Sequence, residues 1–322
     1  MQVMAMASAE HQALLTAIAQ DYYYSRASIS ELADKYHTSR YYVEKYLTEA
    51  QNSGLVTITI QSPATRLHAL EQRFQAAFSI PHLAIIQDAA NPTQTVDQVV
   101  TYAAHQYQPL IRTLHVVGLT WGGTVYDVIQ HFAADDVPAL HFTQYMGENM
   151  KYHSQAGSTR MVEMAANKFS AQYHTLVGPL YVFDPEARRL LAAEPAVTPT
   201  LALCQRLDLI ITGIGTLASI DSIPVWHAQR DRIIPPDRAG EAAGVLYGRP
   251  YTVQGTFIAP DDVPVFGAPL TQTLAVPRRL AIVTSKFKTQ ATLGALRGGL
   301  LTDLVMSEGV ANRIAAEAAE LQ

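Results

Sequence analysis

The residues best suited to chemistry form a glycine-rich turn within VVGLTWGGTVYDVIQ, residues 116–130. An apolar run leads into this turn, which contains glycines at positions 118, 122 and 123, and a helical pattern follows. The glycines let the main chain approach a ligand, while threonine hydroxyls and the first amides of the helix can hold an anion. We therefore expect a phosphate or sugar to bind at this turn; the alternative is a tight turn with no ligand. The expected contacts are Gly118, Thr120, Trp121, Gly122, Gly123 and Thr124.

Further loops of the same kind follow other apolar runs. Gly147 and Glu148 follow residues 141–146, Gly213 lies in the glycine loop that ends residues 207–215, and Lys288 comes shortly after residues 280–285. The carboxyl ends of parallel strands meet at one edge of a sheet, where such proteins bind ligands. Convergence of these loops would suit an anionic carbohydrate. Lys286 and Lys288 can equally be solvated residues at a helix start.

The elements that must position these loops alternate along the chain. Short apolar runs separated by helical patterns predict βαβ units and a mainly parallel sheet covered by helices on both faces. No internal repeat or low-complexity tract is present, which argues against a solenoid. The predicted strands lie within residues 82–87, 114–119, 141–146, 207–215, 280–285 and 302–307.

The first 60 residues have a different pattern. Apolar spacing predicts helices over 8–24, from Ser28 and over 39–52, with Ser28 and Glu31 forming a capping box. Thr38 or Ser39 can cap the third helix. Gly54 ends it, and residues 55–60 are β-branched, as the wing of a winged helix-turn-helix would be. We assign residues 1–60 to this domain, 61–65 to a linker with a proline, and 66–322 to the α/β domain.

The helix-turn-helix pattern places the start of the third helix where it can enter a DNA major groove. Arginine there can contact guanine or phosphate, tyrosines can pack on thymine methyl groups, and lysine one turn on suits phosphate. The alternatives are a three-helix protein-interaction module, and Tyr42 and Tyr46 as core aromatics. The predicted DNA contacts are Ser39, Arg40, Tyr41, Tyr42 and Lys45.

Composition narrows the class of protein. The 322 residues include one cysteine, Cys204, and carry a formal net charge of −5. A disulfide framework and a multi-cysteine metal site are excluded, and neither a signal peptide nor a membrane span is indicated, so we expect a cytoplasmic protein without metal or cofactor. Residues 1–56 hold four Lys and Arg against six Asp and Glu, which opposes DNA binding unless few residues contact DNA and a symmetric oligomer doubles them.

Catalysis has little support in the sequence. Glu148, with His153 or His141 nearby, is the only acid/base group that could serve a sugar-phosphate isomerase or transferase, the main alternative function. No nucleophile elbow, Walker loop or HExxH motif is present. We expect no catalytic residues and no enzyme.

The chain resembles the SorC family of bacterial transcriptional regulators, whose effector module is also called the DeoR-type sugar-binding domain. The segments that carry the resemblance are SISELADKYHTSRYYVEKYLTEAQNSGLVTI, VVGLTWGGTVYDVI, LLAAEPAV with LDLIITGIGTL, YGRPYTVQG, and LGALRGGLLTDLVMSEGVANRI. The resemblance implies a winged helix-turn-helix followed by a Rossmann-like α/β domain, similar to sugar-phosphate isomerases and CoA-transferases. It also implies homodimers or homotetramers that respond on operator DNA to a sugar phosphate.

By position, the resemblance assigns residues 39–42 to DNA reading and residues 118–124 to the effector loop. It adds Gly147, Gly213, Gly248, Arg249 and Lys288 to the effector pocket. Two positions depart from the family: Val245 stands where relatives usually have the aspartate of a Gly-Asp pair, and Thr284-Ser285 stands where many have two glycines. The expected function is control of a carbohydrate operon by a phosphorylated sugar, with an altered preference for the effector.

Overall fold

The computed structural model describes residues 2–56, 64–150 and 157–321. The chain divides into two compact units, residues 1–62 and residues 63–322. Part of the predicted wing, residues 57–60, lies outside the described residues, as do residues 61–63 of the predicted linker and His153.

The N-terminal unit contains three helices: α1 (Gln2–Tyr23), α2 (Ile29–Lys35) and α3 (Arg40–Asn52). They enclose a small apolar core of Ile18, Leu32, Ala33, Val43 and Leu47. The predicted capping box opens α2: the Ser28 hydroxyl accepts from the Glu31 amide, and the Glu31 carboxylate accepts from the Ser28 amide. Ser39, rather than Thr38, caps α3. The three helices predicted from apolar spacing are therefore present.

A seven-stranded sheet forms the centre of the C-terminal unit, and every strand pairing in it is parallel. The order in space is β1-β9-β8-β5-β2-β3-β4. A separate antiparallel hairpin, β6-β7, lies outside this sheet. The strands are β1 (His82–Ile86), β2 (Val116–Leu119), β3 (His141–Gln144), β4 (Gln172–His174), β5 (Leu209–Thr212), β6 (Ala242–Leu246), β7 (Arg249–Thr252), β8 (Arg278–Val283) and β9 (Asp303–Ser307).

Helices cover both faces of the sheet, and two large apolar clusters fill the space between helices and strands. The strands are buried on both sides, which explains why they are continuous apolar runs rather than alternating ones. The α-helices of this unit are α4 (His68–Phe78), α5 (Pro92–Ile111), α6 (Gly123–His131), α7 (Ser158–Phe169), α8 (Pro185–Ala193), α9 (Thr198–Cys204), α10 (Leu217–Asp221), α11 (Pro224–His227), α12 (Arg230–Ile233), α13 (Leu270–Ala275), α14 (Thr289–Arg297) and α15 (Glu308–Glu317). Short 3-10 helices span Pro236–Glu241, Lys286–Lys288 and Ala319–Leu321.

The six predicted strands are all present, but three strands were missed. β4 is a three-residue edge strand with two exposed side chains, so it lacks the apolar run of a buried strand. The β6-β7 hairpin contains Pro250 and two glycines, which are residues typical of loops. None of the helices in the described part of the chain is long and apolar enough to cross a membrane.

Candidate functional site

A cavity of about 200 Å³ lies beyond the carboxyl ends of β2 and β5. These two strands are neighbours in the sheet, and the chain runs outward from β2 through β3 and β4 before returning to β5 on its other side. The strand order therefore reverses between β2 and β5. Loops separate at such a point, and open parallel sheets bind their ligands there. The volume lies below the roughly 300–1,000 Å³ of typical ligand pockets, so the cavity suits only a small ligand.

The loop after β2 forms one wall of the cavity with Thr120, Trp121 and Gly122. Gly122 has φ +137° and ψ 145°, a region of backbone space that essentially only glycine adopts. It is the N-cap of α6, and no side chain caps that helix. The first amides of α6 are thus left for another acceptor, and the helix dipole favours a negatively charged one.

Lys288 also lines the cavity and is the N-cap of α14. Its ammonium forms no hydrogen bond or ion pair with the residues that the structure describes, and burial lowers its pKa. A cation held in apolar surroundings without a partner is unfavourable, and an anionic ligand would relieve that cost. The α6 N-terminus and one ammonium therefore give the cavity a preference for anions.

The rest of the cavity is largely aromatic and aliphatic. Tyr181 and Trp226 pack edge to face with ring centroids 5.0 Å apart, and Trp121 lies 6.4 Å from Trp226. This cluster gives the bound molecule an apolar surface on one side. The other described lining residues are Met146, Leu180, Thr212, Gly213, Ile214, Gly215, Ser219, Ile220, Ile223, Val245, Tyr247 and Gly248.

Six of the eleven residues expected to contact the effector line this one cavity: Thr120, Trp121, Gly122, Gly213, Gly248 and Lys288. The predicted convergence of strand-end loops is thus seen for the segments after β2, β5 and β8. Gly123 and Thr124 follow in the first turn of α6 but are not part of the cavity wall. The other three expected residues, Gly118, Gly147 and Arg249, lie elsewhere.

Gly118 and Gly147 serve packing rather than the cavity wall. Gly118 is inside β2, where a methyl group would lie 2.9 Å from Leu207 Cδ2. Gly147 follows β3, where a methyl group would collide with the carbonyl oxygen of Pro179. Both positions need glycine because another part of the protein approaches closely.

Arg249 makes its hydrogen bonds within the protein rather than at the cavity. The side chain is buried, and its guanidinium donates to the carbonyl oxygen of Tyr247 at 2.9 Å and more weakly to that of Pro260 at 3.4 Å. Burial lowers the pKa of this arginine. It ties the hairpin to the following loop and is not part of the cavity wall.

Several lining residues were missed from sequence. Tyr181 and Leu180 come from the segment after β4, while Ile220, Ile223 and Trp226 come from the short helices α10 and α11. Each lies in a stretch without glycine-loop or charge signals. The rarity of tryptophan at position 226 was the only available hint.

Two members of the acid/base group considered for catalysis, Glu148 and His141, lie in the described part of the chain. Glu148 accepts from the Gln144 amide and from the main chain and side chain of Thr159. His141 begins β3 and lies 2.9 Å from His174, ring nitrogen to ring nitrogen. Neither residue lines the cavity. The described residues contain no group of three or more His, Cys, Asp or Glu suited to hold a metal ion.

In the N-terminal unit, the residues at the start of α3 form an exposed surface. The Ser39 hydroxyl accepts from the Tyr42 amide at 3.3 Å, and Arg40 donates to the Ser30 hydroxyl at 2.9 Å. Tyr41 and Tyr42 are 69% and 46% exposed, so Tyr42 is not a core residue. The Lys45 ammonium lies 5.9 Å from the Tyr42 ring centroid.

Tyr46 differs from its neighbours on α3. It is partly buried and packs against the helical core, as the alternative for this residue anticipated. The five predicted DNA contacts, in contrast, all lie on the exposed side of α3 or at its cap.

Comparison with known proteins finds one matching family model and several related proteins. Residues 62–316 match the family model described as "Putative sugar-binding domain". The chain is 24% identical over 297 residues to the uncharacterized transcriptional regulator YjhU of Escherichia coli K12, covering 90% of each chain. It is 21% identical over 301 residues to the transcriptional regulator LsrR of the same strain, covering 92% of each.

The fold also matches solved structures. The full-length sorbitol operon regulator SorC from Klebsiella pneumoniae aligns with a TM-score of 0.68 and 20% identity, covering 94% of this chain and 98% of that one. This match confirms the predicted α/β fold class, a helical N-terminal region followed by a parallel-sheet domain. The relatives are transcriptional regulators and not enzymes, in agreement with the expectation from sequence. The chain belongs to the SorC/DeoR sugar-binding family of transcriptional regulators.

Proposed function

We propose that this regulator controls a carbohydrate operon and that a phosphorylated sugar, bound in the cavity between the β2 and β5 loops, changes its affinity for operator DNA. The observation that carries the proposal is the Lys288 ammonium, which has no hydrogen bond or ion pair with the described residues and shares one cavity with Gly122, the N-cap of a helix without a side-chain cap. Phosphate is the common metabolite group that both features favour.

In this proposal the phosphate accepts hydrogen bonds from the first amides of α6 and from Lys288. Thr120, Trp121, Gly122, Gly213 and Gly248 shape the rest of the site. Gly123 and Thr124 contribute the first main-chain amides of α6 to this contact, whereas Gly118, Gly147 and Arg249 support the site through packing rather than through direct contact. Residues 66–322 form the effector domain, and residues 61–65 connect it to the DNA-binding domain.

Residues 1–60 are proposed to bind DNA as a winged helix-turn-helix. Arg40, oriented by Ser30, reaches base edges or phosphate, the Ser39 cap places the start of α3 against the backbone, and Tyr41, Tyr42 and Lys45 complete the surface. A homodimer or homotetramer in the cytoplasm would present paired α3 helices to two half-sites. Doubling the contacts offsets the acidic composition of the unit.

Coupling between the two sites requires the effector to bind one arrangement of subunits more tightly than another. The proposal is therefore that an occupied cavity shifts the population of these arrangements and changes the spacing of the paired α3 helices. Typical coupling of this kind changes affinity by roughly 5- to 150-fold.

The test uses the full chain and an operator selected from a random duplex library. A panel of sugar phosphates is first screened by thermal shift, because a ligand that binds only the native state raises the midpoint. Compounds that bind are then titrated into gel-shift assays at fixed salt. We expect at least one sugar phosphate to raise the midpoint and to change operator affinity. Unchanged operator affinity with every compound that binds by calorimetry would contradict the proposed coupling.

A further inference from the structure

The cavity holds few groups that could bind the hydroxyls of a sugar. Among its described lining residues there is no Asp, Glu, Asn, Gln, His or Arg. Sugar hydroxyls donate and accept hydrogen bonds, and carboxylates and carboxamides are the side chains that satisfy them best. Lys288 is the only charged side chain in the described wall. As far as side chains are concerned, recognition of the carbon body therefore depends on hydroxyl groups and on apolar contact.

The tyrosine hydroxyls of the wall are already engaged by the protein. The Tyr181 hydroxyl donates to the carbonyl oxygen of Gly248 at 2.8 Å, and the Tyr247 hydroxyl donates to that of Leu300 at 2.9 Å. Both side chains are almost fully buried. The rings thus face the cavity as apolar surface, while their polar ends stabilise the hairpin and the segment before β9.

The smaller hydroxyls are also directed at the protein. Thr212 donates to the carbonyl oxygen of Gly213 at 3.2 Å, and its oxygen lies 3.4 Å from that of Thr120. The Ser219 hydroxyl accepts from the Thr216 amide in the capping box of α10. The Thr212 proton already has a protein partner, and the Ser219 oxygen already accepts from the main chain, so these hydroxyls offer a ligand fewer hydrogen bonds than free ones would.

Val245 occupies a fixed place in this wall. Its main chain forms two hydrogen bonds of 2.9 Å with Gly215, one in each direction, which hold β6 against the loop after β5. Val245 thus lines the cavity at the point where the hairpin meets the sheet, and its side chain is an isopropyl group without polar atoms. A polar side chain at this position would be held equally firmly and would offer a partner to a ligand hydroxyl.

The energetic consequence is selection against hydroxyl groups. A ligand hydroxyl that enters this wall loses its hydrogen bonds to water and gains little in return, whereas carbon gains contact with Trp121, Tyr181 and Trp226. An apolar pocket disfavours an added hydroxyl by at most about 100-fold, and about tenfold is a typical difference. The anionic end of the ligand is unaffected, since Lys288 and the α6 amides bind it.

We propose that the effector is a small phosphomonoester whose carbon body carries few free hydroxyls, and that Val245 is the residue that sets this preference. The proposal rests on the proposed function, because it assigns the phosphate to the same cavity. It narrows the ligand class from sugar phosphates in general to sugar phosphates that lack one or more hydroxyl groups.

Calorimetry with the full chain and matched pairs of phosphates tests the preference. Glucose 6-phosphate is compared with 2-deoxyglucose 6-phosphate, and glycerol 3-phosphate with n-propyl phosphate, so that charge and carbon number are equal within each pair. Inorganic phosphate measures the contribution of the anion alone. We expect the member with fewer hydroxyls to bind about tenfold more tightly in each pair.

Substitution at Val245 tests the residue. Val245→Thr keeps the shape of the side chain and adds one hydroxyl, and Val245→Asp adds a strong acceptor. We expect both variants to shift each pair toward the more hydroxylated member, the aspartate variant more strongly. Val225→Thr is the control, because Val225 is 49% exposed and does not line the cavity.

The outcomes separate the two proposals. If phosphates bind but the more hydroxylated members bind equally or better, the hydroxyl preference is wrong and the proposed function stands. If no phosphate in the set binds or raises the thermal midpoint, the proposed function fails and this inference fails with it. An unchanged preference in folded Val245→Thr and Val245→Asp would remove Val245 from its assigned role.

Discussion

At the scale of single residues, the Lys288 ammonium has two consequences. It forms no hydrogen bond or ion pair with the described residues, so its burial costs stability in the free protein, and in the proposed complex it would attract the phosphate. The N-terminal unit also has a cation at its proposed binding surface: the Arg40 guanidinium, which donates a hydrogen bond to the hydroxyl of Ser30. In both cases a cation lies at a site that we propose binds phosphate.

Lys288→Met should weaken binding of a sugar phosphate by about 30-fold, as expected for loss of a charged hydrogen bond of ~2 kcal/mol. The free variant should be at least as stable as the parent, because a desolvated charge has been removed. Thermal midpoints with and without ligand check both parts. Lys286→Gln, two residues away, exposed and outside the cavity, is the control and should bind normally.

The pH dependence of binding should follow the same lysine. Burial lowers its pKa in the free protein, and a bound phosphate would raise the pKa again, so the complex needs the protonated form. Affinity should therefore fall as pH rises through the free-protein pKa of Lys288, below the ordinary lysine value of ~10.4. Calorimetry from pH 7 upward measures this fall. An identical pH profile in Lys288→Met would mean that another group is responsible.

Arg40→Ala should reduce operator affinity by roughly tenfold to a hundredfold and leave effector binding unchanged. Lys45→Ala should weaken binding less and lower the salt dependence by about one charge, since we expect it to contact phosphate. Lys35→Ala removes a positive charge from α2 instead, where Lys35 pairs with Asp21, and serves as the control. Anisotropy titrations at several salt concentrations distinguish the three. Full operator affinity in Arg40→Ala would assign DNA reading to another surface.

At the scale of elements, the start of α6 depends on a backbone conformation rather than on a side chain. Gly122 brings the chain out of β2 and into α6 at φ +137°, and that turn leaves the first amides of the helix without a side-chain cap. A residue with a Cβ is strained there even though open space surrounds the position. The anion site and the turn are therefore one feature.

Gly122→Ala should strain this turn by about 1–3 kcal/mol and should abolish or strongly weaken the stabilisation by sugar phosphate. Gly123→Ala is the matched control: the position is helical and a methyl group there meets nothing within 4 Å. It should fold and bind as the parent does. Thermal shift on both variants tests the assignment, and equal ligand responses in the two would show that the conformation of Gly122 is not needed for binding.

At the scale of the whole molecule, the regulator has two units that fold around separate cores. If the effector changes operator affinity by some factor, operator DNA must change effector affinity by the same factor, because binding equilibria are linked. Coupling is thus measurable from either side.

Effector affinity should be measured by calorimetry with and without saturating operator duplex. We expect a change equal, within error, to the factor found in gel shifts, and no change with a scrambled duplex of the same length. Sedimentation of each state at matched concentration reports whether the proposed homodimer or homotetramer changes with ligand. Unequal factors at equilibrium would exclude a simple two-state coupling.

Local patterns in the sequence were sufficient for the elements and for part of the site. Apolar spacing and caps predicted the three N-terminal helices, and continuous apolar runs predicted six buried strands, because both signals come from residues close together in the chain. The glycine loop after β2 and the lysine after β8 were found for the same reason. The β6-β7 hairpin was not predicted because it contains a proline, and β4 was not predicted because two of its three side chains are exposed.

What only the tertiary structure decided is the composition of the cavity. Residues from the segment after β4, from α10 and α11 and from the hairpin meet at the switch point because of the strand order, which no local pattern encodes. The same tertiary contacts show that Gly118 and Gly147 are needed for close packing. They also show that the Arg249 guanidinium donates its hydrogen bonds to main-chain carbonyl oxygens. The residue types that could bind an anion are visible along the chain, whereas the apolar wall around them exists only where distant segments meet.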